Sequence, residues 1–304
     1  MLPTLSYYAK GKLLITGEYA VLDGALALAI PTKKGQLLEV FPSKDLQLNW
    51  SSFDADGALW FDCLFSPELE ILSTSNTEKA LTLQNILRLA IALNSSFKKE
   101  LSGKTVKTKL EFDRNWGLGS SSTLLHLIGQ WAQINPYALL KTTFGGSGYD
   151  IACADANGPI TYQITPFGVE VKQVSFQPDL LNDFFFIYLG QKQVSKNEIA
   201  KFGDLKINRE ELASKISHIT ERLITSFDTT AISNLLTKHE ELLSKTLGYP
   251  MVKNERFKGI EGTFKSLGAW GGDFVLYIGK ETELQKIKSL GYHTIVPWKV
   301  MLNL

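Results

Sequence analysis

The residues with the plainest chemical potential are Asn115-Trp116-Gly117-Leu118-Gly119-Ser120-Ser121-Ser122-Thr123, a glycine and hydroxyl run that passes into the apolar-periodic segment Leu124, Leu125, Leu127, Ile128, Trp131. That order predicts a loop opening a helix. Gly117 and Gly119 let the backbone approach a ligand closely, and the first N–H groups of a helix lack carbonyl partners and sit at the positive end of its dipole. Such a place suits an anion. Ser120, Ser121 and Ser122 add hydroxyls for phosphate oxygens, and one of them could hold a magnesium ion. A serine-rich cap on a helix that binds nothing would carry the same letters, so the stretch gains meaning only from its company.

Spacing removes several other chemistries. Gly103-Lys104-Thr105 has the end of a P-loop, but Lys98 occupies the position of its first glycine. No Gly-x-Gly-x-x-Gly follows a strand, and no Gly-x-Ser-x-Gly elbow surrounds a serine. The 304 residues hold 32 basic and 31 acidic side chains, so no broad basic face argues for nucleic acid, and a small-molecule substrate is expected. Cys63 and Cys153 lie far apart and the four histidines have no metal-ligand spacing, which predicts free thiols and a reducing, cytoplasmic setting. No secretory-signal order begins the chain and no apolar run approaches a membrane span, so no membrane partner is expected. The sequence leaves the oligomeric state open, since no heptad pattern demands a second copy.

The elements that must position these residues follow from periodicity. Lys12 to Thr16 reads as a strand, followed by Gly17-Glu18-Tyr19 and a small-residue segment from Ala25 to Ile30 closed by Pro31. Gln36 to Val40, Leu46 to Trp50 and Ala58 to Phe61 read as successive antiparallel strands. Asn76 or Thr77 caps a helix that ends near Asn94. Val106, Thr108, Leu110 and Phe112 then alternate with Lys107, Lys109 and Glu111 in the strand that delivers the chain to the glycine loop. Asn135-Pro136 opens a short helix. Gly145-Gly146-Ser147-Gly148-Tyr149-Asp150 is another glycine run, and strands are expected at 160–164 and 169–174.

A domain boundary is placed at Gln177-Pro178-Asp179, giving domains 1–178 and 179–304. The second half reads as a strand at 184–189, two amphipathic helices through Leu212 to Leu223 and Ile232 to Leu242, and a third helix carrying Phe257, Ile260 and Phe264. The turn Gly268-Ala269-Trp270-Gly271-Gly272-Asp273 precedes a strand at 274–278, a helix at 284–290 and a last strand at 294–296. This alternation predicts a split βαβ sandwich.

Three glycine stretches in this order resemble the GHMP kinases, the superfamily of galacto-, homoserine, mevalonate and phosphomevalonate kinases. Lys10-Gly11-Lys12 through Gly17-Glu18-Tyr19-Ala20-Val21 resembles the first motif, Gly117 to Ser122 the second, and Gly268 to Asp273 the third. Ser147-Gly148-Tyr149-Asp150 stands where mevalonate-type kinases carry their catalytic aspartate, and Gly-Tyr-Asp-Ile-Ala at 148–152 resembles the subgroup named for that string. The resemblance implies an α+β, two-domain fold, with an N-terminal domain like ribosomal protein S5 domain 2 and a ferredoxin-like C-terminal domain.

It also implies ATP and Mg2+ as cofactors and a mevalonate-pathway acceptor, with a GHMP-fold sugar kinase or a non-catalytic nucleotide sensor as the rivals. Asp150 would be the base and Lys12 its charge partner. Gly117, Leu118, Gly119, Ser120, Ser121, Ser122, Gly271 and Gly272 would hold the nucleotide, Ser121 the magnesium, and Glu18, Tyr19, Ser147 and Gly148 the acceptor. Lys10, Arg114, Lys192 and Lys196 are candidate cations for a phosphorylated acceptor.

Two departures stand out. Lys10 replaces the usual proline of the first motif. Nothing between Arg114 and Tyr149 is acidic, and only 27 residues separate Ser122 from Asp150, so the magnesium-binding glutamate of mevalonate kinases has no counterpart.

Overall fold

The computed structural model describes residues 2–191, 195–270 and 272–302. β1 (Leu5–Thr16) and β2 (Ala27–Pro42) are joined through a 3-10 turn at Ala20–Asp23. Then come β3 (Leu48–Phe53), β4 (Leu59–Phe65), β5 (Ile71–Thr74), α1 (Thr77–Leu93), α2 (Phe97–Leu101) and β6 (Lys104–Leu110). α3 (Ser120–Ala132), α4 (Pro136–Thr142) and α5 (Tyr149–Asp155) precede β7 (Ile160–Thr165), β8 (Gly168–Gln173) and β9 (Phe184–Tyr188). The remainder is α6 (Ser195–Gly203), α7 (Arg209–Ile224), α8 (Thr229–Leu247), α9 (Val252–Arg256), β10 (Thr263–Leu267), β11 (Phe274–Ile278), α10 (Leu284–Ser289), β12 (Ile295–Pro297) and α11 (Trp298–Met301).

The chain forms two compact units, each discontinuous in sequence. The first comprises Met1–Gly11, Lys34–Arg114 and Leu118–Asp155; the second comprises Lys12–Lys33, Asn115–Gly117 and Ala156–Leu304. The boundary read from the sequence was a single cut at 178/179, whereas here β1 and β2 each pass from one unit into the other.

In the first unit the strand order is β5-β4-β3-β6-β2. The expectation that β2, β3 and β4 are successive antiparallel neighbours holds for β3 and β4 alone. β6 lies between β2 and β3, antiparallel to the former and parallel to the latter. Local turn chemistry cannot report a strand that arrives some fifty residues later. β6 itself alternates as its letters require, with Val106, Thr108 and Leu110 buried and Lys107 and Lys109 exposed. Leu38, Trp50 and Val106 of the sheet form one apolar core with Ile86, Leu87, Leu125, Ile128 and Leu139 of the helices. α1 starts where Asn76 accepts a hydrogen bond from the Lys79 N–H, a side chain satisfying one orphan donor of the first turn.

In the second unit residues 27–29 of β2 pair with β7, and β7 pairs with β8. Pro31 does not close its strand as expected. It falls between the 27–29 and 36–42 registers, where a missing N–H interrupts neither ladder. A separate four-stranded sheet has the order β10-β11-β9-β12, antiparallel throughout. With α7 and α8 between β9 and β10, and α10 between β11 and β12, this is the ferredoxin-like split βαβ arrangement the sequence predicted.

The expected helix through Phe257, Ile260 and Phe264 is absent. α9 ends at Arg256 and Phe264 lies in β10, because Gly259 and Gly262 adopt φ of 82° and 110°, outside the helical region. Phe257 and Phe264 still stack, with ring centroids 4.4 Å apart, but the chain brings them together by turning back on itself. Both cysteines are free and buried. Among the described residues no helix is long and apolar enough to cross a membrane.

Candidate functional site

In the first unit, Gly119 caps α3 at φ 89°, a left-handed conformation that explains the glycine, and no side chain occupies the cap. The first turn of α3 contains no acidic residue. Ser121 is exposed and Ser120 and Ser122 are half-buried, whereas Leu118 is buried. Thr123, one turn in, donates to Gln36 Oε1 at 2.6 Å and so ties the helix start to β2. Positive partial charge, free hydroxyls and backbone N–H groups are what a phosphate needs.

α5 packs on α3. It is entered through Gly145, Gly146 and Gly148, all at positive φ, with Ser147 half-buried and Gly148 buried. Asp150 is half-buried in its first turn. Tyr137 of α4 lies close by. Burial, and then the charges of Cys153 and Asp150, push its hydroxyl up to about 12, so it stays a neutral donor at physiological pH.

In the second unit, three stretches distant in sequence converge. Lys12 Nζ donates to the Gly117 carbonyl at 3.0 Å, holding the head of the glycine loop to β1. Gly117, at φ 63°, faces the Asp273 carboxylate so closely that a side chain there would run into it. Trp116 sets its ring edge-on to Phe274 at 5.4 Å. The Tyr19 hydroxyl accepts from the Trp270 N–H at 2.8 Å, and Gly272 N–H closes a turn onto the Ala269 carbonyl at 3.1 Å. Tyr19 has φ 61°, a strained value for a residue with a side chain. It is held there by this hydrogen bond and by stacking on Phe202, 5.2 Å between centroids.

Glu18 does not present its carboxylate to solvent. It is 2% exposed, beside His239, Glu240 and Lys265, each fully buried. Lys265 Nζ lies 2.7 Å from Glu18 Oε1 and 3.8 Å from Glu240 Oε2, and His239 Nε2 lies 3.4 Å from Glu18 Oε2. Glu240 accepts from the Ser266 N–H and hydroxyl and from the Val252 N–H. Burial pushes the Glu18 carboxyl up to about 7, against the pull of Lys265 and with a further push from Glu240. Burial, and then the Lys265 ammonium, hold His239 well below its ordinary value, so its ring is neutral.

The structure therefore gathers Lys12, Glu18, Tyr19, Gly117 and Gly272 in the second unit, and Leu118 to Ser122, Ser147, Gly148 and Asp150 in the first. Gly271 and Lys192, and the side chain of Lys196, lie outside the described residues. Arg114 is engaged with Asp54 at 2.7 Å and stacks over Trp60. Among the described residues no group of three His, Cys, Asp or Glu side chains could by itself hold a metal ion. Sequence reasoning missed Lys265, His239 and Glu240. The signal was present: 239 and 240 fall on the apolar stripe formed by Ile232, Leu236 and Leu243, and Lys265 sits inside a buried strand.

No protein-family model and no curated protein sequence matches the chain. Solved structures do. The mevalonate kinase of Methanococcus jannaschii is 14% identical, with 96% of each chain covered and a TM-score of 0.68. Streptococcus pneumoniae phosphomevalonate kinase, in complex with phosphomevalonate and AMPPNP, is 17% identical over 96% of this chain and 99% of its own, TM-score 0.68. A D-glycero-D-manno-heptose 1-phosphate kinase from Bacteroides thetaiotaomicron is 15% identical over 98% and 96%, TM-score 0.68. These neighbours are GHMP kinases, and the chain has the fold of that superfamily along nearly its whole length.

Proposed function

We propose that this protein is an ATP-dependent small-molecule kinase that transfers the γ-phosphoryl group to phosphomevalonate or mevalonate. The observation that carries the reading is the glycine-capped, acid-free start of α3 at the second motif, in a chain with a kinase fold. Backbone N–H groups and serine hydroxyls at 119–122 suit the nucleotide phosphates. Magnesium suits Ser121 as a ligand only if the phosphate oxygens supply most of the other positions, and when bound it would neutralise charge on the phosphates being separated.

Asp150 takes the proton from the acceptor hydroxyl as that oxygen bonds to the γ-phosphorus. The bond from the γ-phosphorus to the bridging oxygen breaks and ADP leaves. Lys12 supplies positive charge for the transferring group, and Ser147 and Gly148 orient the acceptor, whereas Tyr19 is buried with its hydroxyl engaged by the Trp270 N–H. Phosphoryl transfer asks mainly for positioning and charge neutralisation, which is why so few side chains suffice.

The acceptor is proposed from the motif letters, since mevalonate, phosphomevalonate and heptose-phosphate kinases match the fold equally well. An ADP-release assay with ATP and magnesium, run against mevalonate, phosphomevalonate, a heptose phosphate and galactose, tests it. Turnover on a mevalonate-type acid alone is the expected result. Turnover confined to a sugar would replace the acceptor and keep the chemistry, and ATP binding without turnover on any acceptor would favour a nucleotide sensor.

A further inference from the structure

Three consecutive residues of the first glycine stretch are each held by a different later residue of the second unit. The Gly17 N–H donates to His239 Nε2 at 3.1 Å, Glu18 Oε1 accepts from Lys265 Nζ at 2.7 Å, and the Tyr19 hydroxyl accepts from the Trp270 N–H at 2.8 Å. Lys265 is the one whose chemistry is hardest to explain by packing. An ammonium in a sealed interior persists only when paired and hydrogen-bonded, and apolar side chains of similar volume often serve stability as well or better.

What the ammonium adds is direction. It sits between Glu18 and Glu240, donates also to the Ser266 carbonyl, and Glu240 in turn grips the Ser266 N–H and hydroxyl. Ser266 leads through Leu267 to Gly268 and Trp270. The charge therefore stands at the junction of the 17–19 turn, α8, and the strand feeding the third glycine stretch. We propose that Lys265 is a positioning residue for phosphoryl transfer: through Glu18 it fixes the 17–19 turn, and with it the strand end bearing Lys12, against the loop that begins at Gly268.

The inference rests on the kinase reading above. Glu240 accepts three hydrogen bonds, the arrangement of a carboxylate, whereas Glu18 Oε2 accepts none among the described residues and faces His239 Nε2, which already accepts from Gly17. One proton on Glu18 Oε2 relieves the repulsion between these two facing acceptors, although the single Nε2 lone pair is shared with the Gly17 N–H and the His239 Nδ1–H has no acceptor among the described residues. The cluster then holds one ammonium, one carboxylate and one neutral acid, whose remaining oxygen still accepts from Lys265. The groups facing Glu18 are His239 and Glu240 from α8 and Lys265 from β10.

The test uses the full chain with Lys265→Met, Glu18→Gln and Glu18→Leu, read by amide hydrogen exchange, AMPPNP affinity and steady-state turnover. Lys265→Met should raise exchange in segments 16–24 and 264–270 while α1 and α3 keep their protection. It should lower kcat about 100-fold with KM for ATP changed less than about threefold, the mark of misplacement rather than lost binding. Glu18→Gln, which keeps an acceptor for Lys265, should behave as the unaltered protein; Glu18→Leu should reproduce Lys265→Met. If Lys265→Met does not fold, the two Glu18 variants decide. Equal turnover and exchange in Glu18→Gln and Glu18→Leu, or exchange rising uniformly along the chain, would overturn the proposal. Failure of the unaltered protein to bind AMPPNP would instead overturn the kinase reading and the catalytic half of this proposal, while the exchange pattern still decides the clamp.

Discussion

Asp150 and Ser121 stand in the first turns of two helices of the first unit, half-buried and exposed, where a ligand can reach them. Glu18, His239, Glu240 and Lys265 form a denser collection of chemically capable side chains in the second unit, and water reaches almost none of it. Residue type alone would rank the second group above the first as an active site. Burial reverses the ranking. A catalytic acid or base must exchange its proton with a substrate, whereas a sealed ion pair spends its directionality on holding backbone in place. Tyr19, at φ 61° beside that cluster, is the strained residue such holding maintains.

The comparison breaks first at Asp150. Asp150→Asn should lower turnover about 10³-fold, the scale of a lost general base, and leave AMPPNP affinity unchanged. Calorimetric binding beside the kinetic assay checks both halves, and a variant that keeps its turnover would remove Asp150 from the mechanism.

On the buried side the sharpest probe is pH. Glu18 moves from 4.5 unfolded to about 7 folded, so its protonated form favours folding; that contribution is complete below pH 4.5 and is lost as pH rises through 7. The loss amounts to up to about 3 kcal/mol from the size of the shift, most of it between pH 4.5 and 6.5 and under about 1 kcal/mol above. His239 acts in the opposite sense, since a ring held neutral loses stability as pH falls below 6.5. Above pH 6.5 only the Glu18 contribution varies. The unaltered protein should therefore lose melting temperature between pH 6.5 and 8 relative to Glu18→Gln, and parallel curves would show that Glu18 is not protonated there.

Gly117→Ala probes the glycine loop within the second unit, since it adds a side chain at φ 63° and drives it into Asp273. AMPPNP affinity should fall about tenfold from backbone strain and a displaced loop, with part recovered in Gly117→Ala/Asp273→Ala. No recovery would mean that strain alone is responsible. The smallest effect is expected at Arg114. Its pair with Asp54 is partly exposed, so Arg114→Ala should cost at most about 1 kcal/mol in urea unfolding. A large rise in KM for a phosphorylated acceptor in that variant would instead return Arg114 to the site.

Much of this molecule was legible in its letters. Helix starts at Asn76 and Asn135, the alternation of β6, the loop before α3 and the split βαβ order all follow from local periodicity and capping chemistry, which a sequence displays directly. The three glycine stretches were legible for the same reason: positive φ and close approach leave glycine as a visible mark. Strand neighbours were not legible, because β6 enters between β2 and β3 only when distant segments pair.

Nor did the sequence show that Glu18 would be sealed while Asp150 stays open. A carboxylate's role depends on what surrounds it, and Lys265 and Glu240, more than 200 positions away in the chain, surround Glu18. Period and composition determined which elements form and where an anion could sit. Only the tertiary structure decided which charges meet water and which meet each other, because desolvation and pairing belong to three-dimensional neighbours and not to sequence position.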